Sequence, residues 1–256
     1  MNYLVDYILY LADNTLILSQ RNGEWCGHGP VLEQDIAITN ISLDLIGQSR
    51  NLYQYAALLI NESNISNGRP VTEDTLAYLR KEREYKNCLL VELPRGDWAQ
   101  TILRQFLFSA YQYFLYEQLQ DSKDEQLSAI AVKSLKEVTY HLRWSSEWVI
   151  RLGDGTDESH KRILHAVNEL WPYTGELFMP ADFEQQAEKE GKGAVLEVMK
   201  NKWDEKIKEV FDEATITLPG MAFMHRGGKQ GIHTEYMGFI LTELQFMQKA
   251  YPGAEW

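Results

Sequence analysis

Apolar residues recur at helical spacing along almost the whole chain. In the first segment Leu4, Ile8, Leu11, Thr15 and Leu18 form one row, and Leu9, Leu16 and Ile17 form another. Apolar residues on more than one face predict a deeply buried helix over about residues 2–20. The glycine-rich stretch from Gly23 to Gly29 stops it. Pro30, suited to a first helical turn, starts a second helix that runs to about Asn61. At 1.5 Å per residue that helix is roughly 45 Å long. A polar loop over 61–68 and a short helix over about 72–85 follow. Asp97-Trp98-Ala99-Gln100 has the capping-box pattern and opens a third long helix to about Gln120. Asp121 to Asp124 turns the chain into a fourth, ending near Leu152 before Gly153-Asp154-Gly155. Shorter helices are expected at about 157–173, 182–190, 194–214 and 234–250. The seven prolines fall at boundaries, and no strand-length run alternates with period two.

Two long hairpins followed by shorter helices predict an all-α fold. The expected arrangement is a single four-helix-bundle domain over 1–256, with a core bundle over about 2–153 and accessory helices over about 154–256. A net charge of −12 argues against nucleic acid or an acidic membrane surface as a partner. Two cysteines, Cys26 and Cys88, make no disulfide framework and point to reduced thiols in the cytoplasm. The first residues carry no basic stretch of a signal peptide, and no apolar run reaches the roughly 18 residues of a membrane span.

Buried carboxylates in a four-helix bundle invite a test for a di-iron centre, which draws Glu ligands and Glu-x-x-His pairs from facing helices. Helix two carries Asp44-Leu45-Ile46-Gly47 at the expected place. The carboxylate is one carbon shorter, and glycine stands where histidine would. Residues equidistant from a hairpin loop should face each other, which sets Asp13 opposite Asp44. In the second hairpin Glu137 and His141 share a face, and His141 should face about Arg104. The third helix has no Asp or Glu from Trp98 to Tyr116. The ligand set is therefore incomplete, and Asp13, Asp44, Gly47, Glu137 and His141 read as degenerate di-iron positions with no metal. They would form a satisfied interior polar network, with Arg104 or Arg50 supplying positive charge.

Other features carry bland expectations. His160 and His165 read as cap or surface residues, and His225 and His233 have no assignable place. The loop 226–231 reads as solvated, Lys229 and Arg226 included. Trp144 and Trp148, four apart on one helix face, and the aromatic cluster from Tyr111 to Tyr116 read as core or interface.

Four stretches carry a family resemblance: Glu-Trp-Cys-Gly-His-Gly-Pro at 24–30, Asn-Ile-Ser-Leu-Asp-Leu-Ile-Gly-Gln at 40–48, Tyr-His-Leu-Arg-Trp-Ser at 140–145 and Gly-Ile-His-Thr-Glu-Tyr-Met-Gly at 231–238. With the ending Tyr-Pro-Gly-Ala-Glu-Trp, they span essentially the whole chain in order. The chain resembles the PaaC family of subunits of bacterial phenylacetyl-CoA oxygenases (ring 1,2-epoxidases). The resemblance implies a ferritin-like fold and a non-catalytic structural subunit. Its implied partners are the di-iron catalytic subunit PaaA, together with PaaB and the reductase PaaE, which brings NADPH, flavin and iron–sulfur chemistry. Alone, the chain could pair with itself as a two-fold homodimer. The alternative is a di-iron oxygenase or ferroxidase in its own right, which bound iron would reveal. A third is a free-standing helical ligand-binding protein, which failure to co-elute with a catalytic partner would favour.

Overall fold

The computed structural model describes residues 2–63, 70–220 and 222–254. Among them are eleven α-helices and no strand, so the fold is all-α and consistent with a ferritin-like architecture. The chain forms two compact units. One comprises residues 1–94 together with 227–256, and the other comprises 95–226.

The first unit is built on an antiparallel hairpin of α1 (Tyr3–Gly23) and α2 (Leu32–Glu62). The side chain of Asn2 caps α1 by accepting from the Leu4 N–H at 3.1 Å. As its two apolar rows predict, α1 is buried on nearly every face. The linker from Glu24 to Val31 is not slack. His28 N–H donates to Trp25 O at 2.7 Å, and Asp35 accepts from the N–H groups of Gly27 and Gly29. Those donors hold the Asp35 carboxyl below its usual range. The Ser42 hydroxyl donates to Ser19 O at 2.7 Å and helps fix the register of the hairpin.

The helix expected over 72–85 is shorter than its pattern. α3 (Glu73–Tyr78) ends, and a single 3-10 turn (Glu82–Glu84) follows. Arg80 turns inward between them, and its Nε takes the Leu76 carbonyl that a continuing helix would have bonded. A four-residue helix, α4 (Leu89–Glu92), was not legible in the sequence. The last helix divides into α10 (Glu235–Leu244) and α11 (Phe246–Ala250). At the break, the Gln245 amide donates to Arg80 O at 2.8 Å. Part of the loop expected over 61–68 lies outside the described residues.

The second unit holds α5 (Trp98–Leu119), α6 (Glu125–Gly153), α7 (Asp157–Leu170), α8 (Asp182–Lys189) and α9 (Leu196–Glu213). The expected capping box is present: Asp97 accepts from Gln100 N–H, and the Gln100 side chain accepts from Asp97 N–H. α5 packs on α6, α7 and α9, with Trp203 Nε1 donating to Leu107 O at 2.9 Å. Trp98 meets the rings of Trp144 and Trp148 edge-on at 6.2 and 6.0 Å.

Candidate functional site

Asp13 sits at the centre of α1 with no solvent exposure. A bare carboxylate there would be costly, so its partners decide what it can do. Tyr53 of α2 donates its hydroxyl to Oδ1 at 2.5 Å. The Arg80 guanidinium donates to both oxygens, through Nη2 to Oδ1 and through Nη1 to Oδ2 at 3.1 Å. The Lys86 N–H completes Oδ2 at 2.8 Å. Arg80 also donates to Glu84 O at 2.8 Å and lies over the Tyr85 ring, 4.1 Å from its centroid. Burial works against the guanidinium charge, but the adjacent Asp13 carboxylate outweighs it and holds Arg80 above its usual range. Burial, reinforced by Asp13, pushes the Tyr53 phenol well up, so it remains a donor. Burial likewise pushes Tyr85 up to about 12.

This arrangement corrects two sequence expectations. The cation that neutralises Asp13 is Arg80, which the expectation did not name. Arg50 is exposed and approaches Glu73 at 3.6 Å. Arg104 is buried, with 1% exposure, so it does not point to solvent. The hairpin register also differs. Ser19 meets Ser42, and Asp13 meets Tyr53, which places the residues facing Asp13 a turn or more beyond Asp44. The ordered turn at 24–28 extends the α1 side of the linker, so its midpoint is not the hinge of symmetry. Asp44 is half-buried, and a Cβ added to Gly47 would meet nothing within 4 Å.

In the second unit Glu137 is half-buried and His141 is fully buried on α6. Glu137 lies close enough to Tyr116 for its charge to add to the burial that raises that phenol. His165 is exposed beside Glu169, and His160 Nδ1 lies 2.6 Å from Gly153 O, a helix-end contact. Among the described residues, no three His, Cys, Asp or Glu side chains are grouped so as to hold a metal ion.

A second buried cluster was missed. Glu92 of α4 accepts from Asn87 Nδ2 at 3.0 Å and from Thr234 N–H at 2.6 Å. His233 Nδ1 lies 2.9 Å from the same carboxylate, and Nε2 lies 3.0 Å from Tyr85 O. Both ring nitrogens face acceptors, an arrangement that the doubly protonated ring satisfies, and in that state it forms a buried ion pair with Glu92. Burial pulls the His233 pKa down, but the hydrogen bond and charge of Glu92 overcome it and raise the value. Arg21 donates to the Glu92 carbonyl through Nε and Nη2. The neighbouring glycine loop is only partly solvated: Arg226 is exposed as expected, whereas Gly227, Gly228 and Lys229 are buried. Lys229 is 2% exposed, with Nζ 5.0 Å from the Tyr10 ring centroid. A Cβ on Gly228 would strike Asn87 O at 2.1 Å, which explains the glycine and the close seating of the loop.

Each unit has an open cleft. In the first, about 200 Å³ lies between Leu16, Arg50, Tyr53, Glu73 and Tyr78. In the second, about 450 Å³ lies between Phe114, Leu142, Arg143, Ile150 and Val210. Neither pairs a nucleophile with an orienting base.

The family model described as phenylacetic acid catabolic protein matches residues 1–256. The chain is also 44% identical, over 256 residues and 100% of both chains, to a subunit of the 1,2-phenylacetyl-CoA epoxidase of Escherichia coli (strain K12).

Proposed function

The chain belongs to the phenylacetic acid catabolic protein family, and from that membership we propose that it is a non-catalytic structural subunit of a phenylacetyl-CoA 1,2-epoxidase. The full-length likeness to an epoxidase subunit supports the complex and the pathway. What supports the non-catalytic role is the state of Asp13. A metal there would have to displace a guanidinium that already occupies both carboxylate oxygens. Gly47 has no side chain to donate, and α5 bears no carboxylate before Glu117. The residues present do not fit a pair of irons, and no step of the oxygenation is assigned to them.

In this reading the di-iron centre belongs to a catalytic subunit of the PaaA kind. PaaB and a reductase of the PaaE kind, using NADPH, flavin and an iron–sulfur cluster, complete the system in the cytoplasm. This chain holds the catalytic subunit's helices and substrate pocket in shape. Co-expression with a PaaA-like subunit tests it. The expected result is co-elution, with higher epoxidase activity for the pair than for the catalytic subunit alone and iron only in that subunit. Separate elution, or about two irons per chain in this protein alone, overturns the proposal.

A further inference from the structure

The larger cleft, of about 450 Å³, lies wholly within the second unit and is lined by α5, α6 and α9. Its volume falls in the roughly 300–1,000 Å³ range of small-molecule sites. Thr139, Arg143, Ser146 and Ile150 of α6 recur at steps of four, three and four, so one helix face supplies them all. Buried Leu142 and Val210 add aliphatic surface. The half-buried rings of Tyr113 and Phe114, which meet edge-on at 5.3 Å, add aromatic surface.

Four charged side chains line this mostly apolar cleft, and three of them have partners. Lys206 Nζ lies 2.8 Å from Glu209, and Glu147 lies 3.9 Å from Arg151. Arg143 is the fourth. Its guanidinium is exposed and forms no ion pair among the described residues. It rests over the Tyr140 ring, 5.8 Å from the centroid, near the outer reach of about 6 Å for such a contact. The two hydroxyls on the lining are committed to their own helix. Thr139 donates to Leu135 O and Ser146 to Leu142 O, both at 2.6 Å. Arg143 is therefore the donor left for a ligand.

The chemistry of that donor selects the ligand. A planar guanidinium matches the two oxygens of a carboxylate with two parallel N–H bonds. Glu147 and Glu209 share the lining and repel a second negative charge, which disfavours a phosphate dianion. At ~30 Å³ per water-sized group, the cleft holds about fifteen such groups, enough for a carboxylate of about eight to twelve carbons.

We propose that this cleft binds an organic monocarboxylate. The alkyl or aryl body lies against Tyr113, Phe114, Leu142 and Val210, and the carboxylate sits on the fork of Arg143. The site binds its ligand without chemical change. The inference goes beyond the subunit role and stands on residues which that role does not use.

Calorimetric titration and ligand-observed NMR on the full chain test it. Octanoate is the alkyl probe, 2-naphthoate the aryl probe, and octanamide the uncharged match to octanoate. For ligands of this size in an open cleft, a Kd of about 0.1–1 mM is expected for the better acid. Octanamide should bind about tenfold more weakly than octanoate. Arg143→Gln should weaken the acids about tenfold and abolish the preference over octanamide, whereas Arg143→Lys should keep that preference. Thr139→Trp should fill the cleft and weaken every probe at least about tenfold. Both positions are exposed, and unchanged circular dichroism and melting temperature establish that the variants are folded. Tighter binding of either acid supports the site and identifies the body it prefers. The proposal is overturned if neither acid saturates the chain at several times the expected Kd, or if octanamide binds as well as octanoate. Binding indifferent to Arg143→Gln or to Thr139→Trp also overturns it. None of these outcomes changes the iron content or activity that test the subunit role.

Discussion

Arg80→Met is the sharpest probe of the interior. It keeps most of the stem and removes only the charge and its donors. The guanidinium serves both Asp13 oxygens, the carbonyls of Leu76 and Glu84 and the Tyr53 hydroxyl. Breaking a buried ion pair by removing one partner costs about 3–5 kcal/mol. Asp13 would keep its bonds from Tyr53 and Lys86, which places the expected cost at the lower end, about 3 kcal/mol, or roughly a hundredfold in the opening equilibrium. Hydrogen exchange measured by mass spectrometry on peptides from α1 and α3 reads that change directly. It does so without requiring the two units to unfold together. Asp13→Asn combined with Arg80→Met should cost less than the sum of the single changes by about 2 kcal/mol. Unchanged protection in Arg80→Met, or strict additivity in the double variant, would refute the claim that Arg80 neutralises the buried Asp13 carboxylate.

Three further outcomes follow from the same contacts. His233 has a raised folded-state pKa, so its stabilisation is fully present below the ordinary value of 6.5 and is lost as pH rises through the raised one. Exchange in α10, corrected for intrinsic rates, should therefore rise on the alkaline side in the wild type and show no such step in His233→Gln. Gly47→Ala should stabilise dilute, monomeric protein by up to about 1 kcal/mol, since the methyl meets nothing; a fall in melting temperature would contradict this. Asp97→Ala removes the α5 cap and should cost about 1 kcal/mol, read from the denaturation of the second unit, where Trp98, Trp144, Trp148, Trp171 and Trp203 report.

The helices were legible because each announces itself locally. Two apolar rows mark α1, and the Asp97–Gln100 box marks the start of α5. The absence of a histidine three residues after Asp44, where Gly47 stands, was equally plain, because it is a matter of residue type. What the periodicity could not supply was partnership at a distance. Arg80 lies 67 residues from Asp13, and His233 lies 141 from Glu92. Nothing in the spacing near Arg80 distinguishes a buried guanidinium from a surface one. The register of the first hairpin was misplaced for a different reason. Its linker is held by its own hydrogen bonds and by Asp35, so counting residues from its middle gives the wrong height. Lys229 shows the same limit in reverse, as a glycine-flanked lysine that packs on Tyr10.

The seating of His233 on Glu92 has a consequence for how the chain is made. Glu92 leaves the ribosome 141 residues ahead of the histidine that neutralises it. At about 5–20 residues per second, the first unit waits roughly 7–30 s with a core carboxylate lacking its cation. The second unit, continuous in sequence, can close during that interval. Synthesis therefore imposes an order that refolding from denaturant does not, and a released chain truncated before His233 should hold a folded second unit and an open first one.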